Sequence, residues 1–321
     1  MLIARLTTPV LVLALMTWDA GVVYGQDYPN KPIRVVTSAI GGGTDFTTRL
    51  ITQAISGPLG QPVVVDNRPS GVIQAEIVAK SPPDGYTLLV GGSPVFTTPL
   101  LQKAPYDPVR DLSPITVIEK SPNILAVQLS LQVASVKELI AVAKAKPGTL
   151  NYASTGIGST NHLSAELLKS MAGVNIVHVP YKSSGAVLND LIGGQVQMMF
   201  SSAASVMPHA KSGRLKALAV TSAEPSASAP GIPTIAATGV PGYEMVGMTA
   251  VFAPAKTPIP IINRLNQEIV QFLRTPKAKE QLLTVVGSEV VASSPQELAA
   301  TLKSEIAKMS KLIAEAGIRL D

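Results

Sequence analysis

A short apolar run ends in glycine and hydroxyl residues and then opens a helical pattern. This arrangement occurs twice in the chain, roughly a hundred residues apart. In the first copy Ile33–Thr37 leads into Gly41-Gly42-Gly43-Thr44-Asp45. In the second, Asn151-Tyr152-Ala153 leads into Ser154-Thr155-Gly156-Ile157-Gly158-Ser159-Thr160-Asn161-His162. A strand that turns through glycines into a helix leaves several backbone N–H groups pointing outward without a partner. Ser154, Thr155, Ser159 and Thr160 add hydroxyls at the same place. Such turns suit an anion, and a small carboxylate is the natural candidate. Two of them suggest a ligand held between two lobes.

The rest of the chain repeats the strand–helix alternation. Strands are expected at Pro62–Asp66, Tyr86–Val90, Ile124–Val127, Asn175–Val179, Val196–Phe200, Leu215–Val220 and Met245–Ala253. The helices expected between and after them include Asp45–Ser56, closed by Gly57-Pro58, Leu163–Met171, Ala203–Lys211, Ile259–Leu273 and Pro276–Thr284. Capping boxes at Ser135–Glu138 and Ser294–Glu297 open two more, the second reaching about Ala316. At 46% hydrophobic and 15% charged residues, the chain can bury a large core, which excludes disorder. Alternation of this sort implies α/β lobes, each a mainly parallel sheet flanked by helices. Crossings are expected near Val117–Asn123 and Tyr243–Met248. They divide the chain into lobe I (residues 26–120 and 247–321, completed by the C-terminal helices) and lobe II (residues 121–246).

The first 25 residues read as a leader rather than as part of the fold. Arg5 precedes the apolar run Leu6–Leu15, which is too short for a membrane span. Val23-Tyr24-Gly25 places small residues at a cleavage site before Gln26. The alternative is an uncleaved membrane anchor. The chain has no cysteine, so it has no lipid-anchoring thiol, disulfide or thiolate metal site. The expected destination is a bacterial periplasm, with the protein soluble there after cleavage near Gly25.

Several chemistries are disfavoured. The net charge of +5 is spread without a basic run, and only 4% of residues are aromatic, so no nucleic-acid platform is expected. The first turn lacks the Gly-Lys-Ser/Thr of a nucleotide loop, and Phe46 stands where a dinucleotide fingerprint needs its third glycine. His162, His178 and His209 have no metal-ligand spacing, so neither a metal nor any other cofactor is expected. No Gly-x-Ser-x-Gly elbow occurs, and no histidine stands in recognisable relation to an acid and a serine. A periplasmic hydrolase is thus the remote alternative.

Motifs along the whole chain carry a resemblance to a known family. They are Tyr28-Pro29-Asn30-Lys31-Pro32-Ile33-Arg34, Gly42-Gly43-Thr44-Asp45, Leu59-Gly60-Gln61-Pro62-Val63-Val64-Val65, Asn67-Arg68-Pro69, Pro83-Asp84-Gly85-Tyr86-Thr87-Leu88 and Tyr106-Asp107-Pro108. Leu150-Asn151-Tyr152-Ala153-Ser154, His162-Leu163, His178-Val179-Pro180-Tyr181-Lys182 and Gly193-Gly194-Gln195-Val196 follow in order. Each is weak alone, but together they resemble the periplasmic solute-binding proteins of tripartite tricarboxylate transporters, the Bug family. The resemblance implies a two-lobed, Venus-flytrap periplasmic-binding-protein fold with two crossover segments and no enzymatic activity. It also implies capture of a small carboxylate and delivery to a two-subunit membrane permease driven by an ion gradient, without an ATPase. The expected form is a monomer. A sensor partner that signals to a membrane receptor is the alternative.

The expected ligand-binding residues follow from the turns and from the resemblance together. The first turn would offer the N–H groups of Gly42 and Gly43 and the Thr44 hydroxyl, unless it is a plain strand–helix connection. Asp45 is expected to serve the helix N-terminus instead of the ligand. Ser38, with Ala39 and Ile40, replaces the proline and aromatic residues common in the family and leaves room for a bulkier ligand. Gly92 and Ser93 end a strand at the same sheet edge. Ser154, Thr155, Gly158 and Thr160 match the family's carboxylate turn, with His162 at the helix opening, as a ligand contact or as a packed residue. Tyr181 would send its hydroxyl into the cleft or be buried at a strand end. Ser201 and Ser202 stand where amino-acid-binding members carry an aspartate. A ligand ammonium would lack its partner there, so a ligand without an amine is expected.

Overall fold

The computed structural model describes residues 28–68, 71–181 and 183–318; the leader read over residues 1–25 and Lys182 of the Pro-Tyr-Lys motif lie outside them. Strands and helices alternate from β1 (Ile33–Thr37) through α1 (Gly43–Leu59), β2 (Val63–Asn67), α2 (Gly71–Ala79), β3 (Thr87–Gly92) and α3 (Pro94–Leu101). A 16-residue strand, β4 (Leu112–Val127), follows. After a turn of 3-10 helix come α4 (Val136–Ala145), β5 (Asn151–Ser154), α5 (Thr160–Ala172), β6 (Val177–Pro180), α6 (Ser184–Ile192), β7 (Met198–Ser202), α7 (Ala203–Lys211), β8 (Lys216–Val220) and the short α8 (Ile235–Thr238). The chain returns on β9 (Val246–Pro254). It finishes with α9 (Ile259–Leu273), α10 (Pro276–Gln281), a π turn (Leu282–Val286), the two-residue β10 (Glu289–Val290) and α11 (Pro295–Ala316).

The strand order is β2-β1-β3-β9-β4-β7-β5-β6, with β8 and β10 also paired to β4. β1 is parallel to both β2 and β3, and β5 is parallel to both β6 and β7. Every pairing of β4 and β9 is antiparallel, so the sheet is mixed. Each half thus has a three-stranded parallel end whose carboxyl edge carries its loops. The two halves share β4: Leu112–Pro122 pairs with β9, and Asn123–Val127 with β7.

The central strands are buried almost continuously, as a sheet covered on both faces requires, and successive residues face opposite sides. Val35 and Leu88 pack with Ile51, Ile55 and Leu265 on one face of the first half. Val36 and Leu89 pack with Val78, Leu298 and Leu302 on the other. In the second half, Tyr152 and Phe200 meet Leu163 and Leu168, while Ala153 and Met199 meet Val187 and Leu191.

Several elements depart from the expected boundaries. α1 runs through Gly57-Pro58 to Leu59, because a proline in the last turn loses little and Gly60, at φ 66°, closes the helix by donating to Gly57. α5 opens at Thr160, three residues early, because the Ser159 hydroxyl caps the His162 N–H. Ile124–Val127 is only the end of β4. The expected helix Pro276–Thr284 ends as α helix at Gln281 and continues as the π turn.

The C-terminal helix does more than complete the first half. Leu298 and Leu302 pack there, but Met309, Leu312 and Ile313 join the core of the second half, as does Leu101 of α3. At 22 residues α11 is long enough, roughly 33 Å, to reach across both. Leu302→Ala and Leu312→Ala should therefore each lower stability by about 2–5 kcal/mol, the range for buried leucines. Chemical denaturation tests this; a loss under about 1 kcal/mol for Leu312→Ala would detach the last turns from the core.

Candidate functional site

The first glycine turn is built from beneath by Asp45, which is 4% exposed. Its carboxylate accepts from the Gly41 N–H (3.0 Å), Asn67 Nδ2 (2.7 Å) and Arg49 Nε (3.1 Å). Burial pushes its carboxyl up, but the hydrogen bonds from Arg49, Gly41 and Asn67 outweigh that and hold it below the ordinary aspartate value. Asn67 also donates to the Ser38 carbonyl at 2.6 Å, tying the strand end to the helix. Asp45 is thus turned inward, and the outward face is left to backbone. Phe46 N–H makes the first intrahelical bond, to Gly42, so the N–H groups of Gly43, Thr44 and Asp45 precede any helical acceptor.

The glycines differ in what they require. Gly41 has φ 88°, which favours glycine. At Gly43 an added Cβ would stand 3.1 Å from Val286 Cγ1. At Gly42 φ is −86°, and an added Cβ would meet nothing nearer than the Ala39 carbonyl at 3.9 Å. Gly92 lies beside this turn, its Cβ position 3.8 Å from Thr44 Oγ1 and 3.7 Å from the Met248 carbonyl. Ser93 Oγ accepts from the Met248 N–H at 3.1 Å. Thr44, Gly92 and Ser93 therefore meet where β9 starts its crossing.

The second turn has a buried polar base of its own. Gly156 and Gly158 have φ 128° and 78°, and a Cβ on Gly158 would fall 2.3 Å from Leu101 Cδ1. Ser159 Oγ donates to the Gly156 carbonyl at 2.6 Å, and Thr155 and Asn161 exchange a contact at 3.3 Å. His162, 4% exposed, accepts the Gly158 N–H on Nδ1 at 3.3 Å. Its ring is 4.4 Å from that of His178, which stacks on Tyr152 at 4.8 Å. The Tyr152 hydroxyl donates to Glu166, which also takes Lys169 Nζ at 2.6 Å. Burial and the neighbouring His178 lower His162 to about 4, against the pull of Glu166. Burial also lowers His178. The His162 ring is neutral at pH 7, as the bond accepted by its Nδ1 requires.

Thr160 Cγ2 approaches the Cβ position of Gly247 at 3.9 Å, so this turn also reaches β9. Residues of both glycine turns thus stand by the crossing strand, Thr44, Gly92 and Ser93 from the first side and Thr160 from the second. Ser202 belongs to the same surroundings as the N-cap of α7, without a side-chain cap of its own, while its Oγ meets Ser205 Oγ at 3.1 Å. Three of the expected residues are buried or engaged within the fold. Ser154 is 0% exposed, Ser201 is 7% exposed, and the Tyr181 hydroxyl donates to Asp190 at 2.7 Å. Ser154 Oγ also lies 2.7 Å from His178 Nε2, a serine–histidine contact that no spacing in the chain disclosed. An Oγ without exposed surface, already engaged by the Gly156 N–H at 3.2 Å, is not presented as a nucleophile.

Sequence reasoning missed the segment Val286-Gly287. Val286 abuts Gly43, and a Cβ on Gly287 would lie 3.4 Å from the Ala204 nitrogen at the opening of α7. The glycine after an apolar run was the available signal. It also missed Asn67 as the bridge under the first turn.

The model of the tripartite tricarboxylate transporter family receptor matches residues 47–318. BugT of Bordetella pertussis is 34% identical over 98% of this chain and 99% of its own. Rpa4515 of R. palustris, solved with adipate, is 38% identical with a TM-score of 0.78, covering 91% of this chain and 99% of that one. MatC of Rhodopseudomonas palustris, solved with malate, is 29% identical with a TM-score of 0.75, covering 89% of this chain and all of that one. The match over most of the chain, in sequence and in fold, establishes that it belongs to the tripartite tricarboxylate transporter receptor family and has that family's two-lobed α/β fold.

Proposed function

We propose that this protein captures a small carboxylate between its two glycine turns and delivers it to a two-subunit membrane permease. The observation that supports this reading is the pair of N–H sets at Gly43–Asp45 and Thr160–Asn161, without acceptors among the described residues, beside β9. The carboxylates in the two relatives, adipate and malate, support the same class. The lobes would be residues 26–120 with 247–321, and residues 121–246, with the last turns of α11 reaching from one to the other. Periplasmic residence of the mature, monomeric chain belongs to the same proposal.

The ligand we favour has a carbon body and no amine. Ile40 and Ile157, at the tips of the two turns, are 78% and 41% exposed, which sets apolar surface beside the anion site. Ser201 and Ser202 supply no charge for an ammonium, and Asp190 is engaged by Tyr181. A thermal-shift screen over mono-, di- and tricarboxylic, aromatic and amino acids tests this. Ligand at a hundred times Kd should add about 2.7 kcal/mol. A panel in which no carboxylate shifts the melting point would end the proposal, and tight binding of aspartate or glutamate alone would reverse the amine argument.

Gly42→Ala separates ligand approach from folding. Its φ and its open surroundings leave stability within about 0.5 kcal/mol, while the methyl group occupies the space the anion needs, so binding should weaken. Gly158→Ala should lose both, from strain and from Leu101. Equal binding by Gly42→Ala and wild type would place the anion elsewhere.

The buried His162 sets a pH dependence. Its folded value, about 4, lies below the ordinary 6.5. The unfolded chain therefore takes up the proton first, and stability present above pH 6.5 is lost as pH falls toward 4. His162→Gln should be less stable at pH 7, with a melting-temperature gap to wild type that narrows across that interval. A gap independent of pH would show that His162 does not titrate on unfolding.

A further inference from the structure

Four consecutive residues from the end of the π turn, Val286–Glu289, each touch a different part of the molecule. Val286 lies against Gly43 of the first turn, and Gly287 against the opening of α7. The Ser288 hydroxyl donates to Glu119 on β4 at 2.6 Å. Glu289 Oε1 accepts from Ser226 Oγ at 2.6 Å and from the Ala227 N–H at 2.9 Å. Glu289 belongs to the first half, because β10 sets it opposite Lys120 on β4. Ser226 and Ala227 belong to the second, since they lie on the loop after β8 whose Ala229 is buried in that half's core. The Glu289 contact therefore spans the two halves beside the crossing strands.

We propose that Glu289 is a positioning residue for ligand capture, a latch that holds the loop at Ser226–Ala227 and so sets the angle between the halves. The crossing strands are a narrow connection, and their bend is decided by contacts beside them. The Leu101 and α11 contacts between the halves are apolar and carry no directional bond. The Glu289 bonds are directional and made to a charged acceptor, so they select one arrangement. Glu289 is half-buried and Ala227 is exposed, so water replaces the Ala227 bond on opening, while the Ser226 bond, from a buried hydroxyl, makes the closed arrangement the favoured one. The same four-residue segment packs on Gly43, so release at Glu289 reaches the first anion-holding turn. This inference rests on the carboxylate reading for its effect on binding, but its effect on shape is independent of any ligand.

The test compares wild type, Glu289→Ala, Glu289→Gln and Ser226→Ala. Adipate dissociation is followed by stopped flow, and the ligand-free radius of gyration by small-angle scattering. Glu289→Ala should release adipate about tenfold faster, as loss of a hydrogen bond to a charged acceptor implies, and should have a larger ligand-free radius. Glu289→Gln, which keeps an acceptor oxygen, should recover most of both, and Ser226→Ala should fall between. An alanine variant with a lower melting temperature but unchanged release and radius would make Glu289 a framework residue and overturn the latch. If Glu289→Ala does not fold, Ser226→Ala decides: faster release and a larger radius support the latch, and wild-type behaviour overturns it. If wild type binds no adipate, the expectation for that acid fails, and the scattering comparison alone decides the latch.

Discussion

The pairing of β4 with β9 is the constraint on which the molecule depends. Their register runs from Leu112–Pro254 to Pro122–Val246, and β4 then continues into the second half without a break. A strand common to two sheets fixes their relative direction, and it places the loops of both parallel ends on either side of one line. The pairing survives two prolines in β4 because of where they fall. Pro114 precedes a register shift, and there Ser293 supplies the missing partners: it accepts the Val117 N–H and the Thr116 hydroxyl, each at 2.8 Å. Pro122 stands at the end of the β9 pairing, where Asn123 passes to Thr221 through bonds of 2.8 and 2.9 Å.

Both glycine turns solve the same physical problem. A turn that presents N–H groups outward needs its remaining polar groups satisfied from inside, because an unpaired buried group is expensive. The first turn uses a charged residue, Asp45, stabilised by three donors. The second uses neutral imidazoles, with the only charged pair of that network, Glu166–Lys169, set one turn further along α5. The difference gives the turns opposite responses to acid in degree. Asp45 keeps its charge below the ordinary aspartate range, whereas His162 must stay uncharged to accept from Gly158.

Periodicity and capping made most of the fold legible. α7 and α9 have the bounds expected of them, and the Ser294–Glu297 capping box opens α11 where it was read. The strand–glycine–helix pattern located both turns. What stayed hidden was decided by tertiary contact. β4 carries Pro114 and Pro122, which read locally as breaks, and only the pairing with β9 makes one strand of it. The buried side of the second turn was hidden for another reason. Ser154 and His178 lie on neighbouring strands, and nothing in their spacing of 24 residues reports a shared register. Tyr181 was open between cleft and interior, and Asp190, one helix on, takes its hydroxyl.

Glu119 shows how closely the hinge and the first turn are joined. It is 1% exposed on β4, just before the crossing. Burial raises its carboxyl above the ordinary value, against hydrogen bonds from Ser288, Thr47 and Thr249. Those three hydroxyls come from the segment before β10, from α1 and from β9. A hydrophobic side chain at this position could fill the space, but it could not connect α1, which carries the first turn, to both crossing strands. A carboxyl group with several acceptor positions can. The arrangement accepts the desolvation of one acid without a basic partner in its hydrogen-bond set. In exchange, α1 cannot shift relative to the crossing without breaking a bond to a buried acceptor, which ties the position of Gly43–Asp45 to the geometry of the crossing strands.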